Sequence, residues 1–161
     1  KSVGNGETFP RNLITQEEVR RGVALLADQV AVRLRRHRMK ATTLQVTIRD
    51  PNFKDICRQR PLPAPTCTAR ELMRAALEII GCGGEADAPI RAITLTAQNL
   101  IPEDEATEQL GLFAPEEPHR RDKAEKLERV VDRLRERYGH DAVTPAVLVP
   151  APGTEENDVP F

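Results

Sequence analysis

Side chains able to bind phosphate oxygens alternate along the segments TTLQVTIR and FKDICRQRPL. The first places hydroxyls, an amide and a guanidinium on one face, and the second carries two arginines two residues apart, which we expect on the same polar face. Ile56 shares the parity of Arg58, so this placement requires a bulge or a strand twist between them. Lys1 and Ser2, with the peptide groups of Gly4 and Gly6, add donors at the start of the chain. A solvated polar sheet face without a ligand explains the same pattern equally well. The candidate phosphate-binding residues of the two segments are Thr43, Gln45, Thr47, Arg49, Arg58 and Arg60.

Metal and nucleophile chemistry find no support in the spacing of the residues. The three histidines lie in separate segments, and none is at ligand spacing to cysteine or acid. The GCGG stretch at 81–84 follows a predicted helix instead of opening one, unlike a phosphate loop. Paired acids that would hold magnesium are not evident. We therefore expect no catalytic residue, metal or cofactor in this chain.

Aromatic side chains are scarce, with four Phe, one Tyr and no Trp. Phe53 is the one aromatic predicted in the strands after the first helix. Base stacking on aromatic rings is therefore disfavoured, and contacts to a sugar-phosphate backbone with little sequence preference are expected.

A second candidate site is QLGLF, residues 109–113, which lies in an acidic loop with prolines on its far side. Apolar residues in such a loop either dock on their own domain or bind a partner. The spacing of the residues leaves both open.

Charge divides the chain into two parts. Residues 1–100 carry 16 Lys/Arg and 10 Asp/Glu, whereas residues 101–161 carry 8 and 15, which sum to the net charge of −1. This division suggests an anionic partner for the first part and another partner for the second. The three cysteines indicate reduced thiols and a cytoplasmic protein, and no apolar run is long enough to span a membrane. Because the chain starts at Lys1 and runs at once into a strand, we expect a piece of a longer protein.

Hydrophobic periodicity predicts the order β-α-β-β-α-β over residues 1–100. The first helix begins with a Thr15–Glu18 capping box, and the second with a Thr68–Glu71 box. Prolines 61, 63 and 65 should end the third strand. The expected fold is α+β, with two helices on one face of a four-stranded sheet and an open polar face on the other.

Beyond residue 100, a linker is predicted at 101–118, a helix at 119–140 and a flexible tail at 141–161. The predicted helix carries an apolar stripe, and the sequence leaves open whether the helix packs on the first domain. The stripe consists of Leu127, Val130, Val131 and Leu134.

Four stretches, KSVGNGETF, CRQRPL, PIRAITLTAQNL and QLGLF, resemble in this order the C-terminal part of Y-family translesion DNA polymerases. The resemblance covers residues 1 to about 113, and a helix ending in RYG extends it. It implies a little finger domain at 1–100, which lies along primer-template DNA through its open sheet face. It also implies upstream palm, fingers and thumb domains in the same polypeptide, with Mg²⁺ held by the palm.

Carried over by motif, the resemblance implies DNA contacts from the first strand and from the Arg-x-Arg strand. It also implies that QLGLF binds the β sliding clamp through Gln109, Leu110, Leu112 and Phe113. Gly6 departs from the larger residue that often precedes the Thr-Phe pair. The first-strand and Arg-x-Arg residues implied are Lys1, Ser2, Val3, Gly4, Arg58 and Arg60.

Another class of protein fits the same element order. A stand-alone RNA- or DNA-binding module could share the sheet and two helices, although the aromatic pairs expected on its central strands are missing. A fragment without paired acids is expected not to extend a primer by itself.

Overall fold

The computed structural model describes residues 1–82, 88–106 and 118–149. The main elements are β1 (Val3–Leu13), α1 (Gln16–Arg36), β2 (Met39–Arg49), β3 (Asp55–Thr66), α2 (Ala69–Gly81), β4 (Ile90–Gln98), β5 (Ile101–Pro102) and α3 (Pro118–Tyr138). The α+β class and the element order predicted from the sequence are confirmed.

The sheet is antiparallel, with strand order β1-β4-β2-β3. The short β5 adds a fifth strand, which pairs with β2 and which the sequence analysis missed. Helices α1 and α2 pack on one side of this sheet. The core between them is apolar, and its largest fully buried side chains include Leu26, Leu34, Leu72, Ile93 and Leu95.

The first helix begins as the sequence predicts. Thr15 Oγ1 accepts from the Glu18 N–H at 3.2 Å, and the Glu18 carboxylate accepts from the Thr15 N–H at 3.0 Å. Hydrogen bonds to the Glu18 carboxylate from the Ile14 N–H and then from the Thr15 N–H lower the pKa of Glu18. Local sequence is sufficient here because every partner lies within four residues.

The predicted end of β3 was wrong. The strand continues through Pro61, Pro63 and Pro65 to Thr66. It tolerates them because β3 is an edge strand, in which N–H groups on the outer side need no ladder partner. Pro61 pairs with Thr43 in the register, and an irregularity follows between Thr43 and Ala41.

The second predicted capping box was also wrong. The Thr68 hydroxyl donates to Glu71 Oε2 at 3.3 Å and accepts no bond from the helix N–H groups. The N–H of Ala69 instead donates to both carboxylate oxygens of Glu128, at 3.1 and 3.0 Å. The start of α2 is thus capped by an acid of α3.

Helix α3 packs on the body of the domain through charged side chains. Arg35 of α1 binds Glu128 and Asp132, with 2.6 Å from its Nε to Asp132 Oδ2. Arg135 donates to Asp28 Oδ2 at 2.8 Å, and Lys40 lies 3.0 Å from Glu125. Gly139 ends the helix with a φ of +98°, and its N–H donates to the Arg135 carbonyl at 2.9 Å.

Candidate nucleic-acid interface

The side of the sheet opposite α1 and α2, here called the open face, is polar. Residues on β1, β4, β2 and β3 reach it by alternating with the buried positions. In the register, Gly4 stands opposite Thr96, Gln45 lies between Thr96 and Gln59, and Thr47 lies opposite Thr94. The predicted placement of Thr43, Gln45, Thr47 and Arg49 on one face is confirmed. The open face consists of Gly4, Gly6, Thr8, Thr43, Gln45, Thr47, Arg49, Asp55, Cys57, Gln59, Ala92, Thr94, Thr96 and Gln98.

Hydrogen bonds across the strands fix several of these side chains. Gln98 Nε2 donates to Gln45 Oε1 at 2.8 Å, and Asn99 Nδ2 donates to Thr43 Oγ1 at 3.0 Å. An amide whose orientation is set in this way presents its remaining donor in a defined direction.

The open face contains the side chain of Arg49, which already forms an ion pair with Asp55. Its Nε and Nη2 donate to the two oxygens of Asp55 at 2.7 and 2.9 Å. The hydrogen bond from Arg49 lowers the pKa of the Asp55 carboxyl. Both side chains remain about half exposed, so the pair can open to solvent or to an anion.

The outer edge of β1 directs peptide groups away from the sheet. Arg33 Nη1 donates to the Gly4 carbonyl at 2.8 Å, and the Gly6 N–H donates to Asn5 Oδ1 at 3.1 Å. In an antiparallel strand the N–H and C=O of one residue point the same way, so the Gly4 N–H also points outward. The edge therefore carries peptide donors beside the Arg33 guanidinium, a cation that the sequence analysis missed.

Glycine at position 4 is required by its neighbour across the strands. A Cβ built there would lie 2.9 Å from Thr96 Oγ1, and at Gly6 it would collide with Thr94. The two glycines thus leave room for threonine hydroxyls on the open face, in addition to exposing their own peptide groups.

Arg58 and Arg60 were predicted on the open face, and this placement was wrong. Arg60 is paired with Leu44 in the register and Arg58 with Val46, both of which face the core. Arg60 Nη1 donates to Glu78 Oε2 of α2 at 2.8 Å. Both arginines thus lie on the helical side of β3, which is the last strand at this edge of the sheet among the described residues.

The start of the chain is divided between the two sides. Lys1 and Ser2 are exposed, whereas the side chain of Val3 packs partly against the core. Phe53 lies in the β2–β3 turn and not in a strand, with its φ at +63° and its ring exposed. The clamp motif predicted at Gln109, Leu110, Leu112 and Phe113 lies outside the described residues.

Among the described residues, no cluster of three or more His, Cys, Asp or Glu could hold a metal ion. Nor does any helix in that part of the chain have the length and apolar character to cross a membrane.

Known proteins are similar to this chain in sequence. The model of the impB/mucB/samB family C-terminal domain matches residues 1–112. DNA polymerase IV of Acetivibrio thermocellus is 35% identical over 149 residues, which cover 92% of this chain and 37% of that protein. DNA polymerase IV of Oceanobacillus iheyensis is 31% identical over 144 residues, covering 89% and 33%.

Solved structures share the fold. The little finger domain in a complex of the β-clamp processivity factor and the little finger domain of PolIV matches with a TM-score of 0.53 and 16% identity, covering 71% of this chain and 100% of that one. A Y-family DNA polymerase chimera matches with a TM-score of 0.55 and 12% identity, covering 63% and 29%.

The open sheet backed by two helices is thus a little finger fold, as these structures define it. The chain belongs to the impB/mucB/samB family, whose C-terminal domain occupies residues 1–112. The resemblance to Y-family polymerases drawn from the sequence is confirmed. The chain spans only about a third of the length of the two DNA polymerase IV relatives, 37% and 33%.

Proposed function

We propose that this chain is the DNA-holding and clamp-targeting part of a cytoplasmic Y-family translesion DNA polymerase. Palm, fingers and thumb domains of the same polypeptide would carry out nucleotidyl transfer with Mg²⁺. The chain itself contributes no catalytic group in this proposal. The observation that carries it is the open face, whose hydroxyls and amides lie on a little finger fold.

The open face supports contacts to the phosphates of primer-template DNA. Ser, Thr and Gln side chains and peptide N–H groups supply a large share of the hydrogen bonds that proteins make to the DNA backbone. Thr94, Thr96 and Gln45 offer such donors near the centre of the face, and the β1 edge offers outward peptide groups. These contacts carry no sequence information, so binding should be indifferent to sequence.

In this proposal, cationic side chains at the two edges of the sheet contact the DNA phosphates. Arg58 and Arg60 lie along the β3 edge, and Lys1 and Arg33 lie near the β1 edge. The Arg60–Glu78 pair is about half exposed, so a phosphate can replace the Glu78 carboxylate at little cost. The proposal therefore assigns neutral contacts to the open face and ionic contacts to the rims.

Salt titration of duplex binding separates the two kinds of contact. Changing Arg58 and Arg60 together to Ala should flatten the slope of log K against log salt by up to ~2 units, because two phosphate contacts are lost. Changing Thr94 and Thr96 to Val should weaken binding while leaving that slope unchanged. Fluorescence anisotropy with a labelled primer-template measures both quantities.

The matched control is the Arg20→Ala/Arg21→Ala variant, which removes an exposed and a half-buried arginine of α1 and should leave the slope as it is. A slope that stays unchanged in the Arg58/Arg60 variant contradicts the assignment of the β3 edge. Equal affinity for single-stranded RNA would favour the stand-alone nucleic-acid module.

We also propose that Gln109–Phe113 binds the β sliding clamp, with Leu112 and Phe113 as apolar anchors and Gln109 and Leu110 beside them. The proposal rests on the sequence motif. Changing Leu112 and Phe113 to Ala should abolish binding to purified clamp in surface plasmon resonance and leave DNA binding intact. The two outcomes that contradict it are an unfolded domain and unchanged clamp binding.

A further inference from the structure

Helix α3 is oriented with its acids toward the domain. Glu125, Glu128 and Asp132 recur every three or four residues, and all three form ion pairs with the body of the protein or within α3. Arg35 forms ion pairs with two of these acids, Glu128 and Asp132, and its side chain is only 3% exposed. These pairs fix the rotation of α3 about its own axis.

That rotation leaves the apolar stripe of α3 facing solvent. Leu127 is 63% exposed, Val130 42% and Leu134 38%, and Tyr138 follows at 66%. Their spacing of three and four residues aligns them in one row, here called the outer ridge. Three large aliphatic side chains in one exposed row are the pattern of a helix that meets a partner.

An open cavity of about 300 Å³ lies beside the outer ridge. It is formed where α3 meets α1, α2 and the segment after α3, and its walls are mainly apolar. It could accept one large side chain of a segment that lies along the ridge. The apolar residues lining it include Ala69, Met73, Leu127, Val131, Val143 and Val147.

The charged residues around the ridge are mostly cationic. Between residues 120 and 138, five exposed side chains are cations and two are acids. They are Arg120, Lys123, Lys126, Arg133 and Arg137, with Asp122 and Glu136. Arg70 adds a cation at the edge of the cavity. The acids of α3 that could balance this charge are engaged on its inner side.

We propose that the outer ridge and its cavity bind an acidic amphipathic helical segment of a partner protein. Apolar side chains of that segment would cover Leu127, Val130 and Leu134, and its carboxylates would meet the surrounding cations. A second copy of this chain is disfavoured because its ridge is equally cationic. Duplex DNA would leave the apolar row without a contact. The surface is distinct from the open face, which lies on the other side of the sheet.

Three synthetic helical peptides of four heptads test the proposal. All carry Leu at the a and d positions, and the other positions hold mainly Glu, Gln or Lys. NMR titration of the ¹⁵N-labelled chain should show the tightest binding for the Glu peptide, weaker binding for the Gln peptide and the weakest for the Lys peptide. The shifts should centre on α3, Met73 and Val143 to Val147. Equal affinity for all three peptides, or no binding at millimolar peptide, overturns the proposal.

Two variants sharpen this test. Leu127→Gln should weaken the Glu peptide about tenfold because a buried aliphatic contact is lost. Its matched control is Phe53→Gln, at an exposed apolar residue in the β2–β3 turn, which should change nothing. Lys126→Glu with Arg133→Glu should reverse the preference toward the Lys peptide. Binding that is indifferent to both changes contradicts the proposal.

Other occupants give different results. Sedimentation showing a dimer that Leu127→Gln dissolves would identify a second copy and overturn the proposal. Tighter binding to vesicles of 30% phosphatidylserine than to the Glu peptide would identify a lipid surface and also overturn it. Leu127→Gln should leave duplex DNA binding unchanged, which separates this surface from the open face.

Discussion

Two interfaces on the helical side of the domain are built from opposite chemistry. Helices α1 and α2 meet the sheet through fully buried aliphatic side chains such as Leu26 and Leu72. Helix α3 meets α1 through ion pairs centred on Arg35 and Arg135, and it meets α2 through the Arg121–Glu71 pair. The first interface removes apolar area from water, and the second matches specific charges.

The difference affects how each helix can be displaced. Apolar burial is non-directional and contributes roughly 25 cal/mol per Å², so loss of the α1–α2 core means loss of the fold. Buried ion pairs recover little beyond the cost of desolvating their charges. We therefore expect α3 to detach from a domain that remains folded, and the following experiments test this contrast.

The largest effect should come from the apolar core. Leu72→Ala removes a side chain with no exposure and should lower the free energy of unfolding by about 3–4 kcal/mol, from the lost transfer energy and the cavity left. Urea denaturation measures it. The matched control, Leu127→Ala on the exposed side of α3, should change stability by less than ~0.5 kcal/mol. Similar losses in the two variants would place Leu127 in the core.

Removing the central cation of the α3 interface should have the next largest effect. Arg35→Met leaves Glu128 and Asp132 without their partner and should weaken docking of α3 by about 2–3 kcal/mol, since both acids keep some solvent contact. Hydrogen exchange should accelerate in α3 while the strands stay protected. Arg36→Met, at an exposed neighbour, should leave α3 protected. Equal acceleration in α3 and the sheet contradicts independent detachment.

Salt should act on one interface only. Raising NaCl from 0.1 to 1 M shortens the Debye length from ~10 to ~3 Å and should weaken α3 docking by on the order of 0.5–1 kcal/mol. Exchange of α2 core amides, compared in the same sample, should not accelerate. Salt-independent exchange in α3 would show that its ion pairs contribute little.

The smallest effects concern two acids of α3 with opposite pKa shifts. Burial alone would raise the pKa of Glu125, but hydrogen bonds from Lys40 and Arg129 lower it below its usual 4.5. Its contribution to docking is therefore present above pH 4.5 and is lost as the pH falls through the lowered pKa. Glu125→Gln should reduce this loss of α3 docking at acid pH, and hydrogen exchange of the α3 amides measures it.

Glu128 should respond in the other direction. Burial raises the pKa of the Glu128 carboxyl. The hydrogen bond from the Ala69 N–H and the charge of Arg35 lower it, but by less, so the pKa remains raised. As the pH falls, the docked form takes up this proton first, so the contribution of Glu128 to docking grows as the pH falls through its raised pKa and is complete below 4.5. Glu128→Gln should remove that gain. The same pH profile for the Glu125→Gln and Glu128→Gln variants would contradict the assignment of opposite shifts.

The sequence by itself predicted those features that depend on short-range pattern. The alternation of Leu44, Val46 and Ile48 identified β2 and its open side, and the Thr15–Glu18 pair fixed the start of α1. In β3, Arg58 lies two residues after Ile56 and therefore on the same side of the strand. The pairing partners Leu44 and Val46 were nevertheless needed to place both Arg58 and Arg60 on the helical side. Register depends on two strands, and one strand's pattern cannot supply it.

Only the tertiary structure decided the role of α3. Its stripe of Leu127, Val130 and Leu134 predicted an amphipathic helix and left open whether that helix packs on the domain, because periodicity reports amphipathicity and not which face meets the protein. Ion pairs with Arg35, Lys40 and Asp28 turned the charged face inward.

The start of α2 shows the same limit. Thr68 and Glu71 have the spacing of a capping box, but the Ala69 N–H donates to Glu128, 59 residues further along. A local pattern determines a structure when its partners are within one turn, and a distant charge replaces it when folding brings a stronger acceptor to the same donor.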